Sequence, residues 1–176
     1  GVRTPFAKAF GTLADVSAVE LGQIVVTETL QRCELAPESV DEVIIGNVAG
    51  PADSANIARV IALKSGIPID RIAHTVNRNC ASGMESILQG CSILSSGRAK
   101  TIVAGGTESM SQIPLLYSRK ATEAWMRVAR AKTLPQRIAA FAAFRPKHFK
   151  PVAGVELGLT DPVSGISLPT RQFSRV

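Results

Sequence analysis

The sequence predicts an α/β layer fold, and three observations carry that expectation. Short apolar runs alternate with helix-period segments through residues 17–106. Glycine or proline closes most of those helical segments, as a helix stop signal should. The chain has 176 residues, 45% of them hydrophobic and 19% charged, which is enough to bury a core as one globular domain with additional segments.

Each element follows from its local signals. Ser17 and Glu20 form a capping box at the start of the first helix, with Leu21, Ile24, Val25 and Leu30 as its apolar side. Leu35-Ala36-Pro37 ends it. Residues 43–48 read as a strand, and residues 56–65 as a second helix stopped by Gly66 and Pro68. The second strand is His74-Thr75-Val76-Asn77-Arg78. A third helix covers residues 81–96, with Gly83, Ile87, Gly90, Cys91 and Leu94 on one face and Gly97 as its stop. Thr101-Ile102-Val103-Ala104, bounded by Gly105-Gly106, reads as a buried central strand. Together these elements make a βαβαβ unit.

The most informative position is Cys80, which the pattern places where a strand ends and a helix begins. Unpaired N–H groups and the positive end of the helix dipole favour a thiolate there. Two readings stand at this point: a nucleophile, or a buried inert thiol, which is a common fate of cysteine. Ligands of open α/β sheets collect beyond the carboxyl ends of strands, where Cys80 and Gly105-Gly106-Thr107-Glu108 both fall.

Charge and cysteine content narrow the function classes. Three cysteines without CxxC or CxxH spacing argue against a disulfide framework or a zinc site and suit a reducing compartment. No stretch has the apolar length of a bilayer span, and the first residues do not read as a signal peptide. Residues 118–150 hold nine basic side chains against Glu123 alone, whereas the remainder holds 11 basic and 13 acidic ones. The net charge of +6 therefore belongs to this segment and not to the α/β body, which weakens a nucleic-acid reading. Within it Thr133 and Gln136 form a second possible capping box, and Leu134, Ile138, Phe141 and Phe144 recur at helical spacing. Such a basic amphipathic helix can pack on its own protein, lie on an anionic membrane or attract phosphates.

The string Val76-Asn77-Arg78-Asn79-Cys80-Ala81-Ser82-Gly83 resembles the nucleophile motif of thiolases, and four further segments agree in order. These are Arg3-Thr4-Pro5-Phe6, the strand motif at residues 40–48, Asn56-Ile57-Ala58-Arg59, and the strand and glycine turn at residues 103–111. The resemblance implies the N-terminal half of a thiolase-like layered fold in residues 1–111, followed by the start of a basic helical loop domain in residues 112–158. Residues 159–176 form a tail that departs from the family pattern. It further implies an acyltransferase that cleaves 3-ketoacyl-CoA with CoA, or condenses acyl-CoA units, through an acyl thioester on Cys80. The Cys80 backbone N–H then serves as an oxyanion donor. Coenzyme A thioesters are substrates and no cofactor is implied. A homodimer joined through the strand before Cys80 is implied as well.

Ile113 to Lys120 and Ala131 to Arg137 look like the loop-domain start of the β subunit of trifunctional-type fatty-acid oxidation complexes. That likeness implies a hydratase/dehydrogenase partner and peripheral membrane contact through residues 132–150, in a bacterial cytoplasm or a mitochondrion. Thiolases also carry Asn-Glu-Ala-Phe, Gly-His-Pro and a second cysteine motif in their second half, and none occurs here. The chain thus reads as an incomplete portion of the enzyme, whose acid and base come from elsewhere. His74 reads as a strand-end residue, His148 as a solvated member of the basic stretch, Cys91 as core and Cys33 as a helix end. The alternative is a non-catalytic thiolase-like remnant acting in dimerisation or partner binding. A ketoacyl-synthase type of condensing enzyme fits Asn79-Cys80-Ala81-Ser82-Gly83 less well.

Overall fold

Three parallel strands form the centre of the chain, in the order β2-β1-β3: β1 (Glu42–Gly46), β2 (Ile72–Val76) and β3 (Ile102–Gly106). The computed structural model describes residues 1–142, 144–146, 150–153 and 163. Every residue of β1 is buried, because it has a strand on either side and helices over both faces. The central strand is therefore β1; β3, expected to be central, is an edge of the described sheet and only half-buried.

One face of the sheet is covered by α1 (Ala18–Arg32) and α2 (Ile57–Lys64), the other by α3 (Ser82–Ser95). Val43 and Ile45 point into the larger core with Val26, Leu30, Ile57, Ala58, Ile61 and Ile67, while Ile44 packs with Val76 and Ile93 beneath α3. This alternation is the period-2 geometry of a strand. Full burial of side chains such as Ile44, Ile57 and Ile61 contributes about 1.5–3 kcal/mol each. The α1 and α2 axes approach closely because Gly22 has no side chain: a Cβ there would lie 2.3 Å from Ile61 Cδ1.

Local signals explain the helix ends. Ser17 N–H donates to Glu20 at 2.8 Å and Glu20 N–H donates to the Ser17 hydroxyl at 3.1 Å, which is the expected capping box. Asn56 caps α2 through Arg59 N–H, and Gly66 and Gly97 end α2 and α3 in left-handed backbone (φ 83° and 72°). Cys33 is the C-cap of α1, the helix-end position expected of it. The buried side of α1 differs from expectation. It is Ala18, Val19, Gly22, Val26 and Leu30, and Ile24 is 57% exposed. Ile24 is six residues from both Ala18 and Leu30, about 120° round the helix from either, and so falls outside the buried stripe.

Asp41 joins the amino ends of β1 and β3 by accepting the N–H groups of Lys100 at 2.8 Å and Thr101 at 3.0 Å. Those backbone donors, Lys100 first, hold its carboxyl below the usual aspartate range. A depressed folded-state value means that the stabilisation is present above the ordinary value of 3.8 and disappears as pH falls through the folded one. Asp41→Asn is accordingly expected to lower Tm at neutral pH, with the gap to wild type closing as the solution is acidified below the ordinary value. Thermal unfolding measured across that range checks this, and a gap independent of pH would contradict it.

The chain divides into two compact units, Gly1–Ile113 and Pro114–Val176. In the second, β4 (Leu115–Leu116) pairs antiparallel with β5 (Val152–Ala153), and two helices follow β4, α4 (Arg119–Arg130) and α5 (Leu134–Ala142). Only the second of these helices was expected from the sequence. Ser118 caps α4, and Arg127 and Arg130 lie in its last turn, where cations complement the dipole. Trp125 of α4 meets Phe144 and Phe141 with ring centroids 4.9 and 6.3 Å apart. The aromatic half of the α5 stripe thus packs within its own unit, while Leu134 and Ile138 remain exposed. Gln136 accepts the Thr133 N–H at 3.4 Å, the reaching-back half of the expected capping box, and the Lys132 N–H at 3.1 Å. His148 and the expected tail at 159–176, apart from Val163, lie outside the described residues.

Candidate active site

Parallel pairing brings the carboxyl ends of β1, β2 and β3 to one edge of the sheet, so the loops at Asn47, Asn77 and Thr107 are neighbours. Cys80 is exposed in the turn between β2 and α3, which is where the sequence placed it. It is not a buried inert thiol. β2 begins and ends two residues earlier than expected, which leaves Asn77 to Ala81 free to form that turn.

The turn is held by its own polar atoms. Asn79 adopts left-handed backbone at φ 50°, a conformation that asparagine tolerates better than most residues. Asn79 N–H donates to Asn77 Oδ1 at 3.1 Å. The Ser82 hydroxyl donates to Asn79 O at 2.6 Å and accepts Arg78 N–H at 2.8 Å, so one buried side chain just after Cys80 ties back to the two residues just before it. Arg78 and Glu85 form an ion pair across the first turns of α3. That pairing, followed by the Gln89 amide, holds the Glu85 carboxyl below its usual range.

The start of α3 sits directly on the strand ends because three glycines meet there. A Cβ on Gly46 would lie 2.4 Å from Ser82 C, and one on Gly106 would lie 3.1 Å from Gly83 Cα. Only glycine permits that approach. The wholly buried Ser86 places its hydroxyl 2.7 Å from both Gly83 O and Gly105 O, stitching α3 to β3.

The face of α3 that turns inward is therefore Ser82, Ser86, Gly90 and Ile93, in place of the expected Gly83, Ile87, Gly90, Cys91 and Leu94. Cys91 is exposed and not core. Small residues win because the helix approaches the strand ends too closely for large ones, and Met84, Ile87, Leu88 and Leu94 point outward.

Glu108 ties the loops together, a role the sequence did not reveal. Its carboxylate accepts Asn47 Nδ2 at 3.1 Å, Val48 N–H at 2.8 Å and Ala49 N–H at 3.2 Å. Asn47 also donates to Thr107 O at 2.8 Å, and Asn77 Nδ2 lies 3.4 Å from Val48 O. All three strand ends are thereby cross-linked. An acidic residue just after a Gly-Gly turn, facing an asparagine at the end of the neighbouring strand, was the only available signal. His74 lies inside β2 and not at its end, between Glu42 and Gln89.

A cavity of about 360 Å³ opens beside the turn after β3, lined among others by Arg3, Phe6, Lys8, Leu21, Thr107 and Glu108. Cys80 is not among its lining residues. Among the described residues no group of three or more His, Cys, Asp or Glu side chains is placed to hold a metal ion. No helix among them is long and apolar enough to cross a membrane.

Three parallel strands covered by helices on both faces, with an exposed cysteine in the turn between β2 and the glycine-seated α3, define a layered α/β fold. The family pattern described as "Thiolase, N-terminal domain" matches residues 1–145, and the chain belongs to that family. It is 35% identical over 153 residues to a 3-ketoacyl-CoA thiolase of Yersinia enterocolitica, a match covering 87% of this chain and 35% of that protein. A 3-ketoacyl-CoA thiolase of Escherichia fergusonii is 34% identical over 152 residues, with 86% and 35% covered. Among solved structures, an Ascaris suum thiolase in complex with coenzyme A superimposes with a TM-score of 0.75 at 30% identity, covering 95% of this chain and 38% of the other. A Bacillus anthracis acetyl-CoA acetyltransferase gives a TM-score of 0.78 at 28% identity, covering 99% and 41%. The chain spans about a third of the length of the curated relatives it matches.

Proposed function

We propose that the chain is the nucleophile-bearing portion of a thiolase-type acyltransferase that cleaves 3-ketoacyl-CoA with CoA. The observation that carries this is the position of Cys80, exposed in a turn clamped by Ser82 and seated on glycines at the edge of a thiolase-family sheet. The Cys80 thiolate attacks the ketone carbon of the substrate. The bond between that carbon and the adjoining methylene breaks, and acetyl-CoA leaves as an enolate that takes up a proton. The shortened acyl group stays on Cys80 as a thioester. A second coenzyme A thiolate attacks that thioester, releasing acyl-CoA and the Cys80 thiolate. The Cys80 N–H, at the start of the turn into α3, is assigned as a donor to the developing oxyanion.

Coenzyme A and its thioesters are substrates in this scheme, and the chain's own residues need no cofactor to form the acyl thioester. The division into a thiolase-like domain at 1–111, a basic insert at 112–158 and a tail at 159–176 belongs to the same reading. So do homodimerisation and a hydratase/dehydrogenase partner, which rest on the motif likeness, and membrane contact through 132–150, which the basic residues and the exposed Leu134 and Ile138 of that segment also support.

Incubation with an acyl-CoA followed by peptide mass spectrometry tests the assignment. One acyl group on the peptide containing Cys80 is expected, with Cys33 and Cys91 unmodified. Equal modification of all three thiols would remove the reason for singling out Cys80.

A further inference from the structure

A chain of polar contacts runs from the buried centre of the sheet to the residue that leads into the Cys80 turn. Glu42, in β1, is 3% exposed; its Oε2 faces Arg98 Nη2 at 3.3 Å and its Oε1 faces His74 Nδ1 at 3.2 Å. The other ring nitrogen, Nε2, is 3.2 Å from Gln89 Oε1. Gln89 Nε2 donates to Glu85 Oε1 at 3.1 Å, and Glu85 holds Arg78 with its second oxygen.

Hydrogen-bond accounting fixes the direction of these contacts. An ionised carboxylate only accepts, so the Gln89 amide nitrogen points at Glu85 and its oxygen at His74. Both nitrogens of the His74 ring then face acceptors. Only an imidazolium donates from both.

We propose that His74 is a positioning residue of the Cys80 turn, donating from both ring nitrogens to Glu42 and Gln89 and so setting, through Glu85, the guanidinium of Arg78. The ring links β1, β2 and α3 at one point, with the rigid central strand as the anchor. A ring with only one protonated nitrogen would present a lone pair to an acceptor at the other. The buried Glu42 carboxylate retains the remaining proton, because its charge is the stronger attraction, and the contact given up is Gln89. The hold of α3 on Arg78 then loosens.

The charged groups on this side of the sheet are Glu42 from β1, Glu85 of α3 through Gln89, and Arg98 from the segment after α3. α2 packs on the opposite face, where Thr75 and Ala73 point, and brings Arg59 and Lys64 to that side. The inference rests on Cys80 being the acylated thiol. Its test reads thiol alkylation and ring protonation, not turnover.

The experiment measures iodoacetamide alkylation of Cys80 between about pH 5 and 8, with Cys33 and Cys91 in the same chain as references. Nitrogen NMR of His74, assigned against His148→Gln, runs in parallel. In Gln89→Leu the Cys80 rate, relative to Cys33 at the same pH, is expected to fall roughly three- to tenfold, the size of one net hydrogen bond, while Cys33 is unchanged. His74→Asn, too short to reach Gln89, gives the same loss and serves if Gln89→Leu does not fold. A His74 ring with a single protonated nitrogen throughout the range, or a Gln89→Leu chain with the wild-type ratio and profile, would overturn the proposal. Wild-type Cys80 lagging Cys33 and Cys91 would sink the reading of Cys80 instead, and the ring spectrum alone then decides the arrangement at His74.

Discussion

Supplied with 3-ketoacyl-CoA and CoA, these 176 residues are expected to form one acyl thioester on Cys80 and then stop. Sustained thiolysis needs a base for the attacking thiol and an acid for the departing enolate, and each such group contributes about 10²–10⁴-fold. The described side chains around the turn do not supply them. Arg78 is paired with Glu85, Ser82 is committed to the backbone of Arg78 and Asn79, and His74 is occupied by Glu42 and Gln89. Removing members of a catalytic unit costs several orders of magnitude, so steady turnover should be undetectable beside the single acylation. The measurement is release of acetyl-CoA against time, with Cys80→Ala as control. In that variant the single turnover disappears as well. Continuous turnover that Cys80→Ala abolishes would show that an acid/base group lies within this chain after all.

A methyl group at Gly46 is expected to be among the most damaging single substitutions in the molecule. The added Cβ would sit 2.4 Å from Ser82 C, 2.5 Å from Ser82 O and 2.6 Å from Gly83 N. All three are backbone atoms, so no flexible side chain can swing away, and the start of α3 must lift off the sheet. Overpacking typically costs about 1–3 kcal/mol, and a clash with three backbone atoms belongs at the top of that range. Gly50→Ala is the control, because its nearest neighbour would be Asn47 Oδ1 at 3.8 Å. Urea unfolding of the two variants separates the outcomes. A loss below about 1 kcal/mol at Gly46 would mean that the helix slides without resistance, contrary to the packing described.

Much of the architecture was legible because its signals are local. The capping box at Ser17, the cap at Asn56, the left-handed glycines at 66 and 97 and the strand-turn-helix around Cys80 each depend on a few adjacent residues. What was misread depends on partners distant in sequence. Hydropathy alone turned Ile87, Cys91 and Leu94 inward, whereas the closeness of α3 to Gly46 and Gly106 selects Ser82, Ser86 and Gly90. The apolar run at residues 101–104 suggested a central strand, yet pairing order puts β1 in the middle. Glu108 and Asn47 are separated by 61 residues and His74 and Gln89 by 15, and neither pairing is written in a spacing rule. The helical spacing of α4 was legible too, since Ala121, Ala124, Trp125 and Val128 recur at i, i+3, i+4 and i+7, but the dense basic charge around it drew the reading to composition instead.

The left-handed backbone at Asn79 also sets which changes this chain can absorb over generations. Most side chains would add roughly 1–2 kcal/mol of backbone strain in that conformation, next to Cys80, while glycine would enter it freely and aspartate would tolerate it. Of the codons one nucleotide away from asparagine, those for aspartate keep the turn's geometry. They also add a negative charge beside Cys80 and oppose formation of its thiolate. Glycine lies two nucleotide changes away. The position is exposed to solvent and yet nearly closed to drift, held by a dihedral angle rather than by packing.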